Sequence, residues 1–467
     1  MGNSGKKHSI YKRTLLIAIP VMIQNLITNF VAMIDNIMVG QIGTEQMSGV
    51  AIVNQLLFVF NITIFGAVSG AGIFSAQFFG KKDYKGARDS LRFKILTVSI
   101  MSLIGMAIFL LFGDDLIRVY LHDADKGIDL EATFGYAKQY MAVMLFGLFP
   151  FAFENAYSSS LREDSNAVVP MTAGIAAVIT NTLLNYLLIF GIGPFPTLGV
   201  VGAGIATVIS RFIQTGIVMV WTHTNAEKLG FVSGLYRTLK IPAELAKRIF
   251  VKGLIPLMSN EFLWSASIAT LAQCYSLRGI DVVAGQNISN TVVNLFNVMF
   301  IAFGSGVSVV IGQLLGASNM EGAKKAAPKL IWCSFLLCVG VGSVMAACSK
   351  LFPMIYNTTD DVRALATGFI FISAVTMPLH GMLHCIYFTL RSGGKTLITF
   401  LFDSGFSWLI SVPTVFCLAH FTSLNVLLIY LICQLLEAVK CFIGYLLIKS
   451  GIWLSNIVDE NKEVPAI

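Results

Sequence analysis

The sequence predicts an all-α polytopic membrane protein with 12 transmembrane helices in two six-helix lobes, the lobes forming a parallel internal repeat. Composition, the succession of apolar stretches and an internal repeat carry that expectation. Of 467 residues, 56% are hydrophobic and 12% charged. That is about half the ~25% charge usual in soluble domains. A single soluble domain, a disordered chain and a secreted disulfide scaffold are thereby excluded. A transmembrane helix needs ~20 mostly apolar residues, and the mean hydropathy of +0.77 agrees.

Apolar runs between breakers place the first six spans near 15–39, 48–77, 91–112, 134–160, 167–190 and 199–221. The second six fall near 250–277, 283–311, 328–349, 364–390, 396–419 and 424–448. Several runs are longer than a bilayer requires, which predicts tilt or helical extension beyond it. The first run follows a basic segment and continues to about Val39 with no A-x-A-like site. It therefore reads as a span and not as a cleaved signal peptide.

Charge placement sets the orientation. With the N-terminus inside, 24 of the 32 Lys and Arg fall in inner segments, counting Arg92, Lys94, Lys252 and Lys329 at the inner ends of spans 3, 7 and 9. Six fall on the outer side (Arg118, Lys126, Lys138 at the outer end of span 4, Arg278, Lys350 and Arg363), and Arg211 and Lys440 lie deeper within spans. This positive-inside bias puts both termini in the cytoplasm and the protein in the plasma (inner) membrane. No basic arm suggests nucleic acid, and the partners expected are the lipid bilayer and small organic molecules. All eight cysteines lie in or beside apolar stretches of the second half without a CxxC, so reduced, packed thiols are expected. Asn357-Thr358-Thr359 is a glycosylation sequon in an outer loop.

The longest polar stretch, about 222–248, divides the chain six plus six. The expected organisation is an N-lobe over 1–225, a cytoplasmic linker over 226–248 and a C-lobe over 249–467. Pro242 followed by AELAKRIF reads equally as a short interfacial helix with Pro at its first position or as a plain connector.

At an offset of 236 residues the two halves match. SGAGIFSAQFFGKKDYKGAR (69–88) faces SGVSVVIGQLLGASNMEGAK (305–324), with Gln77 on Gln313 and Gly80 on Gly316. The same offset pairs Pro20 with Pro256, Gly43 with Gly279 and Phe60 with Phe296. LREDSNAVVPM (161–171) resembles LRSGGKTLITF (390–400) after a seven-residue change of register. Six spans per repeat is even, so both halves begin on the same side of the membrane. That is the geometry of transporters that rock two bundles about a midplane site, and a membrane enzyme has no need of it.

An ionisable residue inside a span is expensive and functional by default. Asp35 lies toward the outer end of span 1, on the helical face of Gln24 and Thr28. A buried carboxyl holds a proton reversibly, whereas nearby oxygens would let it ligate Na⁺; a residue at the water interface is the alternative. Asn181 and Asn185 share one face of span 5 at similar depth, with Thr207 of span 6 near the same level. These three read equally as members of a hard-cation or proton site and as interhelical hydrogen bonds worth ~1 kcal/mol. Glu261 follows the repeat proline Pro256 and corresponds to Asn25, so the lobes are chemically unequal there. With Gln24 and Thr28 it is the candidate for a secondary site or the substrate cavity.

Other acids within spans are Glu154, Asp403 and Glu437, and Glu437 with Lys440 reads as an i, i+3 pair that neutralises itself. Away from the span ends, five acids (Asp35, Glu154, Glu261, Asp403, Glu437) stand against two bases (Arg211, Lys440), which favours cationic or neutral guests. His380 and His384 share a face but lack a third ligand, so no metal site is expected beyond Na⁺ at the cation site. No P-loop, nucleotide fingerprint or nucleophile elbow occurs, so an ion gradient is the expected energy source, with no cofactor and no enzymatic role.

MIDNIMVGQIG (33–43), GQLLGASNMEGAKK (312–325), LRSGGKT (390–396) and GVVGAGIATVISR (199–211) resemble the multidrug and toxic compound extrusion (MATE) family over essentially the whole chain. The resemblance implies a monomer that exports organic, often cationic, compounds in exchange for H⁺ or Na⁺. It also implies a first-lobe cation site of Asp35, Asn155, Asn181, Asn185 and Thr207. Some members carry acids in spans 7 and 10; here span 10 (364–390) has none. The competing reading is a flippase for lipid-linked oligosaccharide, whose pyrophosphate should want several Arg or Lys in the cavity. A membrane-embedded enzyme and a passive channel are the readings from other classes.

Overall fold

The computed structural model describes residues 9–121, 129–356 and 358–459. The sequon asparagine, Asn357, and the loop base Lys126 lie outside the described residues. Every regular element among those described is helical. Among the described residues, ten helices are long and apolar enough to cross a membrane. In the first half they are Ile10–Gly40, Thr44–Lys81, Tyr84–Tyr120, Val168–Phe190 and Gly199–Thr224. In the second they are Ile280–Gly316, Met320–Met354, Asp360–Ser392, Thr396–Phe421 and Val426–Ser450.

The remaining two spans are interrupted. Span 4 consists of Leu130–Met144 and Leu148–Glu163 joined by a 3-10 turn at Leu145–Gly147. Asp129 caps its start, accepting from the Glu131 and Ala132 amides at 3.0 Å, which satisfies two of the helix's orphan donors. Span 7 consists of Ala243–Ile249 and Ile255–Ser276 joined by a π turn at Phe250–Leu254. The helix read after Pro242 therefore forms, with Pro242 one position earlier than expected as its cap, and runs on into span 7. The chain thus has twelve spans, numbered here in order. Thr44–Lys81, at 38 residues, is about 57 Å long at 1.5 Å per residue, nearly twice the ~30 Å hydrocarbon core.

Duplication is visible in the backbone. Spans 2 and 3 begin at Thr44 and Tyr84, spans 8 and 9 at Ile280 and Met320, both pairs separated by the repeat offset. The turn after span 2 puts Lys82 at φ 59°, and the turn after span 8 puts Ser318 at φ 57°. Each closes with the same bonds. Asp83 N donates to Phe78 O at 2.9 Å and Asn319 N to Leu314 O at 3.0 Å, the wrap of a Schellman-type helix end. A left-handed residue without glycine's freedom is uncommon, so its recurrence at equivalent positions records one ancestral turn.

Compactness groups the residues into two units. One comprises Met1–Met22, Ala76–Asp83 and Val251–Ile467; the other comprises Ile23–Ser75 and Tyr84–Phe250. Inside the first unit the two repeat motifs meet. A Cβ on Gly80 would run into the Gln313 carbonyl, and a Cβ on Gly316 into the Gln77 carbonyl. Each glycine thus seats the other half's glutamine backbone. The glutamine side chains then diverge. Gln77 donates to the carbonyls of Ser392 (2.8 Å) and Ser455 (3.1 Å) and accepts from the Ile457 amide (2.8 Å). Gln313 accepts from Arg13 at 2.7 Å.

In the second unit the linker is fastened to span 3. Arg88 donates to the carbonyls of Phe231 (3.3 Å) and Gly230 (3.1 Å), and Arg92 to those of Leu235 (2.9 Å) and Gly234 (2.7 Å). Phe231, Val232 and Leu235 are buried beneath these contacts. The linker is a packed element of the fold.

Gly80→Ala and Gly316→Ala are each expected to destabilise the protein by about 1–3 kcal/mol through overpacking. Gly216→Ala and Gly340→Ala, where nothing lies within 4 Å, should leave stability unchanged or slightly raised. Thermal unfolding of the four purified variants checks the contrast.

Candidate functional site

Three spans converge on Asp35. Asn185 of span 5 donates to Asp35 Oδ1 at 2.6 Å, and Asn181, one turn earlier, lies 3.3 Å from both Asn185 and Thr207. With the Asn181 amide turned over, its nitrogen donates to the two Asp35 oxygens at 2.9 and 3.1 Å, and its oxygen accepts from Thr207 at 3.3 Å. That orientation gives the Asn181 nitrogen acceptors and its oxygen a donor. Asn181 and Asn185 are 6% and 1% exposed, while Asp35 and Thr207 are half-buried. The Asn185 Oδ1 atom is buried and accepts no hydrogen bond among the described residues.

The chemistry of this group follows from its atoms. A carboxylate, two amides and a hydroxyl present oxygens from spans 1, 5 and 6, one of them with its lone pairs unused. Hard oxygen donors suit an alkali cation, and the same carboxylate beside amide partners suits a proton. The residues present fit either ion.

Other residues singled out in the sequence lie outside this network. Asn155 donates to the Phe151 carbonyl in its own helix at 2.9 Å. Thr28 donates to the Gln24 carbonyl at 2.8 Å, and the Gln24 side chain packs against Gly174 of span 5. Tyr140 of span 4, which the sequence reading passed over, is buried and donates to Asn54 Oδ1 of span 2 at 3.5 Å. Arg211, one turn beyond Thr207, donates to the Gly147 carbonyl at 3.2 Å and lies over the Phe151 ring. A buried tyrosine in an apolar run carries no periodic signal, so only the packing of span 4 reveals it.

A separate polar network occupies the second half. Glu261 accepts from the Tyr387 hydroxyl at 3.2 Å. Its neighbour Asn260, 1% exposed, donates to Asp403 at 3.1 Å and to Tyr387 at 3.2 Å. Lys440 pairs with Asp403 at 2.7 Å and lies 3.7 Å from Glu437. The expected Glu437–Lys440 pair is therefore secondary. Packing of span 11 on span 12 brings a closer carboxylate than the i, i+3 neighbour supplies. His380 bonds Gln434 at 2.8 Å and His384 bonds the His380 carbonyl at 3.1 Å. No group of three potential metal ligands occurs among the described residues.

Not every buried charge marks a working site. Lys94 of span 3, with no exposed side chain, is gripped by Glu163 at 2.6 Å and by the Ser159 and Ser160 hydroxyls at 3.0 Å. Glu154 accepts from Ser158 at 2.5 Å. The Lys94 network ties span 3 to span 4, and the Glu154 bond stays within span 4.

These features define a class: duplicated, twelve-span, all-helical integral membrane proteins with an oxygen-lined carboxylate in the first half. Within it, the chain belongs to the MatE family. That family's model matches twice, over residues 20–187 and 256–417, its two starts separated by the repeat offset. The chain is 25% identical over 431 residues to a probable multidrug resistance protein YoeA of Bacillus subtilis, covering 90% of this chain and 89% of that one. It is 26% identical over 432 residues to a probable multidrug resistance protein NorM of Thermotoga maritima, covering 90% and 88%. Among solved structures it resembles a crystal structure of MATE in the straight conformation, with TM-score 0.84 at 19% identity and 94% and 96% coverage. It also resembles an outward-facing multidrug resistance MATE family transporter, with TM-score 0.83 at 19% identity and 95% and 97% coverage.

Lys94→Met, which strands the Glu163 charge in the interior, is expected to destabilise the protein by about 3–5 kcal/mol. Adding Glu163→Leu should recover most of that loss. Thermal unfolding of the single and double variants reads the difference.

Proposed function

We propose that the protein is a secondary active multidrug efflux transporter that moves organic, often cationic, compounds outward in exchange for H⁺ or Na⁺ by alternating access. The observation that carries this reading is the Asp35 cluster, where a buried amide oxygen of Asn185 stands unused beside a carboxylate. The multidrug resistance names of the two relatives support it, as does the repeat. The duplicated halves, 1–225 and 249–467 joined by 226–248, act as the two lobes. Both termini face the cytoplasm, as the 24-to-6 division of bases argues, and Asp35 then lies toward the outside.

In this reading the ion binds from outside at Asp35, with the oxygens of Asn181, Asn185 and Thr207 around it. Binding favours one state of the first lobe, because the oxygens of three spans meet around the ion in that state and separate in the other. Only a difference in ion affinity between states shifts their balance, and the same coupling makes substrate affinity depend on the ion. Gln24 and Thr28, on the same face of span 1, line the substrate path, and the chain works as a monomer.

Asp35→Asn is expected to lower gradient-driven efflux of a fluorescent cationic dye about tenfold or more, in line with typical coupling energies. Proteoliposomes with independently imposed H⁺ and Na⁺ gradients give the measurement and name the ion. Full uphill efflux by Asp35→Asn protein, present at wild-type level, would overturn the assignment.

A further inference from the structure

Antiport at Asp35 makes no use of the chain that follows span 12, yet residues 453–459 are docked through specific bonds. Trp453 is 1% exposed and donates from its indole to the Ile448 carbonyl at 3.1 Å. Gln77 of span 2 joins this segment to span 10. Its Nε2 donates to the carbonyls of Ser392 and Ser455, and its Oε1 accepts from the Ile457 amide. Asn456 donates to Ser318 Oγ at 2.9 Å and to the Gly316 carbonyl at 3.3 Å. Lys81 pairs with Asp459 at 3.3 Å. The segment therefore holds span 2 of the first half and spans 8 and 10 of the second at once. It crosses the seam where Gly80 and Gly316 seat the opposite glutamines.

The two repeats differ in a way that makes room for this segment. The turns after spans 4 and 10 correspond, LREDS (161–165) to LRSGG (390–394). Asp164 and Gly393 share one backbone conformation, with φ −81° and −82°. Ser165 and Gly394 follow at φ 68° and 73°. A φ of −82° is open to any residue, and the first half carries an Asp there. A Cβ on Gly393 would nevertheless collide with the Trp453 carbonyl. The glycine at 393 answers to the docked segment and not to the turn. The repeat glutamines diverge in the same sense, since Gln313 accepts from Arg13 whereas Gln77 takes the C-terminal segment.

When two halves rock about a midplane site, they part on the inner side as the site opens inward. Bonds across the inner seam oppose that opening. We propose that residues 453–459 are a strap across the seam, positioned by Gln77, which favours the inward-closed state. The inference rests on the alternating-access reading and on the inner placement of these helix ends, and not on which ion Asp35 takes. The strap is weak enough to yield. Its ion pair is 39% and 38% exposed and contributes little, so a few hydrogen bonds of modest net worth carry it.

Hydrogen–deuterium exchange of the full chain in lipid nanodiscs, without an ion gradient, reads the balance of states. Asn456→Ala with Asp459→Ala alters two half-buried positions and leaves the core intact. Amides at the inner ends of spans 1, 2 and 8 should then exchange about fivefold faster, the effect of losing one typical hydrogen bond. Those at the outer ends of the same spans should exchange more slowly, because opening inside closes the outside. Gly393→Ala should act in the same direction. Faster exchange confined to 453–459 is what a merely structural contact would give, and it overturns the proposal. In the converse experiment, Lys81→Cys and Asp459→Cys are bridged by a cleavable bis-methanethiosulfonate, with each single variant as control. The bridge should stop dye efflux, and reduction should restore it. Undiminished efflux by the bridged protein also overturns the strap. Should the unbridged protein show no uphill efflux, the antiport reading fails, and the exchange measurement still decides this one.

Discussion

Hydrocarbon offers a buried polar group no water, so each such group in a membrane span must find its partner within the protein. That constraint runs through the whole molecule. It explains why the Lys94 ammonium collects a carboxylate and two hydroxyls. It explains equally why Arg211 spends a donor on a backbone carbonyl and its face on Phe151. Satisfied networks of this kind hold neighbouring spans in register. A group left with an unused valence is then conspicuous, and Asn185 Oδ1 beside Asp35 is such a group.

The duplicated halves answer the constraint with different chemistry. In the first half a lone carboxylate is surrounded by neutral amides and a hydroxyl, so its charge is open to compensation by a mobile ion. In the second half Asp403 is already paired with a cation of the chain itself, Lys440, at 2.7 Å. One fold, repeated, therefore presents one acid among neutral partners and one paired with a cation of the chain itself. The close seating of Gly80 on Gln313 and of Gly316 on Gln77 preserves the ancestral symmetry in the backbone, while the buried side chains have diverged.

Backbone irregularity is also unevenly placed. Spans 4, 7 and 11 depart from the α-helix, through a 3-10 turn at Leu145–Gly147 and π turns at Phe250–Leu254, Leu401–Gly405 and Ser407–Ser411. Tyr140, Asn260 and Asp403 lie within or close to these irregular stretches. A wide or tight turn rotates the residues beyond it around the helix axis, so it re-aims polar side chains that a regular helix would point elsewhere. The sequence reading gave spans 4 and 7 as single runs, 134–160 and 250–277, because an apolar run does not show where the helix changes its turn.

Much was legible from the chain alone, because burial in lipid writes itself directly into composition and period. Apolar runs located all twelve spans, and small residues at a constant offset disclosed the duplication. An acid in an apolar run pointed to Asp35. The i, i+4 rule put Asn181 and Asn185 on one face, since spacing along a helix determines which side chains are neighbours on it. Contacts between spans follow no such rule. That Lys440 prefers Asp403, 37 positions away, to Glu437 on its own helix depends on how spans 11 and 12 pack. That Asn155 bonds its own helix backbone while Tyr140 reaches Asn54 depends on the rotation of span 4. Sequence determines the faces of a helix, whereas the rotation and depth at which those faces meet are settled only when side chains from several spans compete for the same space.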